Sequence, residues 1–152
     1  MVTLKAFKPL AYYSIGTMIL TLVHHLYGAI IYDDPFRLHV TIVAVPVTAI
    51  LFGCYITYAR THNAALKKAQ WIVFLVLTCV FSIALIGMYE GGYNHVVKNL
   101  LYFAGVSTTT LDQLYPAIYE LPNDFIFEFS GVAQFATGVM CIIELRRLRL
   151  KI

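Results

Sequence analysis

The chain has 152 residues, of which 60% are hydrophobic and 12% charged, and its mean hydropathy is +0.75. A soluble domain carries about one charged residue in four and must clothe its surface in polar groups, so this composition excludes an ordinary water-soluble fold. The formal charge of +3 does not signal nucleic acid, because no basic stripe interleaved with aromatics runs along the chain.

A bilayer core is crossed by about 20 apolar residues in helix. Four stretches meet that length, at about Leu10–Tyr32, Phe36–Ala59, Gln70–Tyr89 and Phe125–Leu145. The first is too long for a signal-peptide core and lacks a small-x-small cleavage site, so it is expected to stay as a span. Asp34-Pro35 offers an N-cap followed by proline at the first helical position, which starts the second. Gly91-Gly92 is expected to loosen the end of the third, and Pro122-Asn123-Asp124 to start the fourth. The predicted fold is an all-α membrane protein, a single four-helix bundle over residues 1–152.

The connections are unequal. Asp33 to Pro35 makes a tight hairpin and Arg60 to Ala69 a short turn, whereas Gly91 to Asp124 is a long outer loop. A loop of that length in a compact domain is usually functional. It is expected to be partly helical, because His95, Lys98, Asn99 and Tyr102 follow i, i+3, i+4, i+7 spacing. Such a helix can lie in the interface or fold back as a lid. A second short helix is expected at 111–119, capped by Thr110.

Charge sets the orientation. All basic residues except Arg37 and Lys98 fall at one face, and all acidic residues except Glu144 at the other. The positive-inside rule then places both chain ends in the cytoplasm, N-in and C-in, with a bacterial inner (plasma) membrane as the expected location. The tyrosines near both span boundaries form an aromatic belt and need no further role. Cys54, Cys79 and Cys141 lie far apart inside apolar stretches, with no CxxC pair, and count as small apolar residues.

Ionisable groups inside a span are costly and call for a reason. His24 and His25 lie in the first span, about 12 to 14 Å below Asp33 at 1.5 Å per residue. His39 opens the second, Glu90 ends the third, His95 follows it, and Glu128 lies in the fourth. Stripes of small and polar residues run beside them: Thr17, Thr21, His24 and Gly28, then Glu128, Gly131, Gln134, Gly138 and Cys141. Membrane helix contacts use such residues, so both stripes are expected to face the bundle interior. Thr78, Ser82 and Tyr89 are expected to do the same on the third span, with Glu90 turned from that line.

Imidazoles and carboxylates on neighbouring helices suit a transition metal such as Zn, Fe or Cu. The candidate metal residues are His24, His25, His39, Glu90, His95 and Glu128. Adjacent His24 and His25 point about 100° apart on a helix, so only one is expected to bind the ion. The competing structural reading is interhelical hydrogen bonding, with Lys98 pairing with Glu90. His62 belongs to the basic turn and is expected to be solvated.

In plan alone, histidines on a small four-helix membrane bundle resemble the haem b subunits of respiratory complexes, and the resemblance implies haem b held by two axial histidines. Three functions follow as expectations: a metal-binding protein, as a metalloenzyme or redox subunit acting on a lipid-soluble or outer-face substrate; a haem- or quinone-binding electron-transfer subunit; and a non-enzymatic interaction or proton and solute transport subunit. Four spans are few for a transporter unless chains assemble. The expected partners are the lipid bilayer and either further copies of the chain or a larger membrane complex.

Overall fold

The computed structural model describes residues 2–115 and 120–149. Helix α1 covers Leu4–Ile31, capped by the Thr3 hydroxyl, which accepts from the Ala6 amide. Asp33 takes a left-handed backbone conformation, with φ 49°, and turns the chain. The Asp34 carboxylate then caps a short 3-10 turn, Pro35–Arg37, which leads into α2, Leu38–Arg60. Helix α3 runs unbroken over Ala64–Phe103, α4 over Thr108–Leu114 and α5 over Phe125–Arg149. No strand occurs among the described residues, and α1, α3, α5 and the stretch Pro35–Arg60 are each long and apolar enough to cross a membrane.

Four expectations change here. The outer loop over 91–124 is shorter, because α3 does not stop at Gly91-Gly92 but continues to Phe103. Those glycines sit against α5, where they allow close approach rather than loosening a helix end. The helix spanning His95 to Tyr102 is therefore an extension of the third long helix and not a separate lid. Thr110 is not the cap of the short helix, which starts at Thr108 behind a Ser107 cap; residues 116–119 of that predicted element lie outside the described residues.

The winding of α3 also differs from expectation. Ala64–Leu77 and Lys98–Phe103 are α-helical, but Thr78–Val97 between them has i→i+5 hydrogen bonding. Such wide turns crowd more residues into each turn and are frequent at functional sites. In an α-helix Glu90 and His95 would point about 140° apart; the wider turn brings residues five apart toward one side. The buried face accordingly runs through Thr78, Ser82, Gly87, Gly91 and His95, while Tyr89, expected inside, is exposed.

Packing fixes the arrangement. Helices α1 and α3 lie side by side and parallel, with Phe7 against Phe74 near their starts and His24 against His95 near the far end. Helix α5 runs antiparallel to both, its Gly138 Cα so close to Gly87 that a Cβ on Gly87 would lie 2.8 Å from it. Helix α2 packs on α1 and on the first half of α3, Ala64–Leu77, and then parts from the wide-turned half. The gap left there is a cavity of about 420 Å³. Lys5, Lys8, Arg60, Lys67, Lys68, Arg146, Arg147 and Arg149 all lie at the end opposite that gap.

Candidate metal centre

Five of the six candidate residues meet at one end of the bundle. Glu90 Oε1 is the focus, with His24 Nε2 at 3.6 Å, His25 Nε2 at 3.7 Å and His95 Nε2 at 3.8 Å. The Nε2 atoms of His24 and His95 are themselves 3.2 Å apart. Glu128 stands one step behind, its Oε2 at 2.8 Å from His95 Nδ1. All four central side chains are largely buried, Glu90 being the most open at 16% of its side chain.

Hydrogen bonds assign the protons. The Ser130 hydroxyl donates to the Phe127 carbonyl at 2.9 Å, so its oxygen is free only to accept, and it accepts from His24 Nδ1 at 2.8 Å. His95 Nδ1 likewise donates to the Glu128 carboxylate, which also accepts from Asn99 at 2.7 Å and pairs with Lys98 at 3.3 Å. In neutral imidazoles this leaves both Nε2 atoms bearing lone pairs and turned toward each other. Glu90 Oε1 adds a third acceptor, while Asn94 holds the other oxygen, Oε2, at 2.8 Å. With both imidazoles neutral, three acceptors converge, an arrangement that a cation, either a metal ion or a proton shared between the two Nε2 atoms, satisfies.

The charges agree with that reading. Lys98 offsets Glu128, and Arg37 is engaged by Asp34 and Glu120 at 3.3 and 2.8 Å. Glu90 has only imidazoles and an amide as close partners. Both nitrogens of buried His25 lack any hydrogen-bond partner. A buried orphaned imidazole costs free energy unless something satisfies it.

The donor spacing fits one small ion. Ligands about 2.0 to 2.1 Å from a tetrahedral centre lie about 3.3 Å from one another, and the separations within the set His24 Nε2, His95 Nε2 and Glu90 Oε1 run from 3.2 to 3.8 Å. The ligand atoms of His24, His25 and Glu90 all fall within 4.8 Å of one another. Both adjacent histidines reach Glu90 Oε1, and their rings meet edge to face with centroids 5.1 Å apart. Lys98, expected on Glu90, pairs with Glu128 instead.

His39 is not among the converging donors. It is exposed near the start of α2, its Nδ1 lies against the Phe36 carbonyl, and its ring borders the cavity beside His25. His62 is exposed in the turn before α3.

Neighbouring groups hold the cluster in shape. Phe127 stacks on His24 with ring centroids 4.2 Å apart and meets His95 edge-on. Arg37 lies over the rings of Tyr32 and Phe127, about 5 Å from each centroid. A Cβ on Gly131 would lie 2.2 Å from the His95 ring, so only glycine there admits the imidazole. Farther out, Tyr115 packs on Tyr93 and donates to its carbonyl at 3.3 Å; burial, aided by the Tyr93 hydroxyl, pushes the Tyr115 hydroxyl up to about 12, so it stays a donor.

Sequence reasoning did not find Ser130, Asn94 and Phe127. Ser130 and Asn94 left a trace as small or polar residues one turn from a named candidate, but their role depends on the neighbouring helix. No family model, curated protein or solved structure matches this chain.

Proposed function

We propose that this chain is an integral membrane protein that binds one divalent transition metal ion through His24, His25, His95 and Glu90, with Glu128 orienting His95. The observation that carries the reading is the convergence of His24 Nε2, His95 Nε2 and Glu90 Oε1, which lie 3.2 to 3.8 Å from one another. A carboxylate behind a ligating histidine fixes its tautomer and raises its basicity, which is the relation of Glu128 to His95. The chemistry of the donor set suits Zn, Fe or Cu.

The basic helix ends support an N-in, C-in orientation, with the metal centre toward the non-cytoplasmic face. His25 and Glu90 also border the cavity, so an ion held by three of these four side chains would keep its fourth position on that side for a ligand. That favours a metalloenzyme or redox subunit acting on a lipid-soluble or outer-face substrate over a closed structural site. The haem reading has less support, since two imidazole nitrogens 3.2 Å apart leave no room for a macrocycle between them.

The test is elemental analysis with an absorption spectrum, on protein purified in detergent without chelator. About one transition metal per chain is expected in the wild type, and far less in Glu90→Gln. Wild-type protein without metal overturns the reading and leaves a proton shared among the histidines; a haem spectrum would move the assignment to electron transfer.

A further inference from the structure

A side chain that ligates an ion gives it one atom and is steered through another. For histidine the steering bond is the second ring nitrogen donating to a carboxylate, a carbonyl or water. Three of the four donors have such a partner, each at 2.8 Å: His24 Nδ1 donates to the Ser130 hydroxyl oxygen, His95 Nδ1 donates to Glu128 Oε2, and Glu90 Oε2 accepts from Asn94 Nδ2. Packing tightens the same set. Phe127 stacks on His24 and meets His95 edge-on, and Gly131 admits the His95 ring. His25 has no such support. Neither of its nitrogens has a hydrogen-bond partner, and at 6% it is the most exposed of the three imidazoles, against 0% for His24 and 2% for His95.

The distances divide the donors in the same way. His24 Nε2, His95 Nε2 and Glu90 Oε1 lie 3.2, 3.6 and 3.8 Å apart in pairs, so all three can reach one ion. His25 Nε2 comes to 3.7 Å from Glu90 Oε1 from beside His24, its ring edge to face with that of His24. Adjacent positions on an α-helix point about 100° apart, so the two imidazoles approach from different directions. Two imidazoles and one carboxylate, with a further position left over, are a ligand set of catalytic zinc and of non-haem iron.

We infer that His24, His95 and Glu90 are the permanent ligands of the ion and that the position toward His25 is exchangeable, open to a small Lewis base from outside the chain. The inference rests on the metal-site reading above and sorts its four donors. Displacing His25 breaks no hydrogen bond of its side chain, whereas turning His24, His95 or Glu90 away breaks the one to Ser130, Glu128 or Asn94. The cavity of about 420 Å³ that borders His25 gives its ring room to turn aside.

The experiment loads the full chain, purified in detergent, with Co²⁺ and follows its visible absorption as imidazole is added. His25→Ala is expected to keep about one Co²⁺ per chain. Its spectrum is expected to shift at an imidazole concentration at least about tenfold lower than in the wild type, because His25 no longer competes. His24→Ala and His95→Ala are expected to lose more Co²⁺ affinity than the roughly 10- to 100-fold that loss of an outer partner costs. His25→Phe, which keeps a ring without a donor, repeats the retention test if His25→Ala folds poorly. Loss of Co²⁺ from folded His25→Ala or His25→Phe as complete as from His95→Ala, or a His25→Ala spectrum indifferent to imidazole, overturns the inference. Wild-type protein that takes up no Co²⁺ overturns the metal centre itself, so the two failures are told apart.

Discussion

The two ends of the bundle solve the same packing problem in opposite ways. At the basic end, Phe7 is fully buried and meets Tyr55, Tyr58, Trp71 and Phe74 edge-on, with centroids 4.6 to 5.5 Å apart. The Phe7 ring has no free face there. At the other end, buried imidazoles and carboxylates meet beside a cavity, and part of their hydrogen-bonding capacity stays unused. Edge-on aromatic contacts and dispersion hold helices together even where lipid is as apolar as the side chains. Converging lone pairs hold nothing together by themselves. The difference teaches that the first end stabilises the bundle and the second uses that stability to keep an unfavourable constellation in place.

The comparison breaks most sharply at Glu90. Glu90→Gln preserves shape but removes the anion, and metal content is expected to fall to about a tenth of wild type or less, while thermal melting in detergent changes little. A protein that keeps its full metal content would move the site elsewhere. The mirror experiment is Phe7→Ala, which opens a void among four rings. It is expected to destabilise the bundle by about 3 kcal/mol and to leave the metal stoichiometry of the folded fraction intact. Equal loss of metal and stability in both variants would show that the two ends do not divide these tasks.

Smaller changes sharpen the contrast. Gly131→Ala drives a methyl into the His95 ring, whereas a Cβ on Gly16 meets nothing within 4 Å. The first is expected to cost about 1 to 3 kcal/mol and to weaken metal binding; Gly16→Ala is expected to do neither in the same melting and metal-titration assays. Glu128→Gln leaves His95 a weaker acceptor behind it, and metal affinity is expected to drop about 10- to 100-fold.

The pH dependence has a definite sign. Protons compete with the ion for the same imidazole lone pairs, so affinity is expected to fall as pH is lowered through the range near 6.5 where free imidazole titrates. Metal affinity that is flat between pH 8 and about 5.5 would count against histidine ligands. The smallest effect belongs to His62→Ala, an exposed histidine, which is expected to change neither metal content nor melting.

Much of this molecule was legible in the sequence, because the signals are local. Span length, the Asp34 and Asp124 caps and the separation of basic from acidic residues follow from hydropathy and chain order. The stripe of His24, Glu128, Gly131 and Gln134 facing inward was legible too, since small and polar residues on one helix face mark an interface. What failed was the α-helical period beyond Ser82 in the third span, although Thr78 and Ser82 face inward as expected. That period puts Tyr89 inside and Glu90 aside, whereas i→i+5 winding over Thr78–Val97 exposes Tyr89 and carries Glu90 and His95 into one cluster.

The sequence by itself determined the four long apolar helices and the kinds of donor near one end, because each depends on residues within a few turns. Only the tertiary structure decided which donors meet. His39 has the same chemistry as His95, yet it stays outside the cluster, because α2 parts from α3 at that height and leaves a cavity where contact would otherwise form. The proton positions are tertiary as well. They are set by Ser130 and Glu128 on a helix more than a hundred residues from His24, through hydrogen bonds that no local pattern contains.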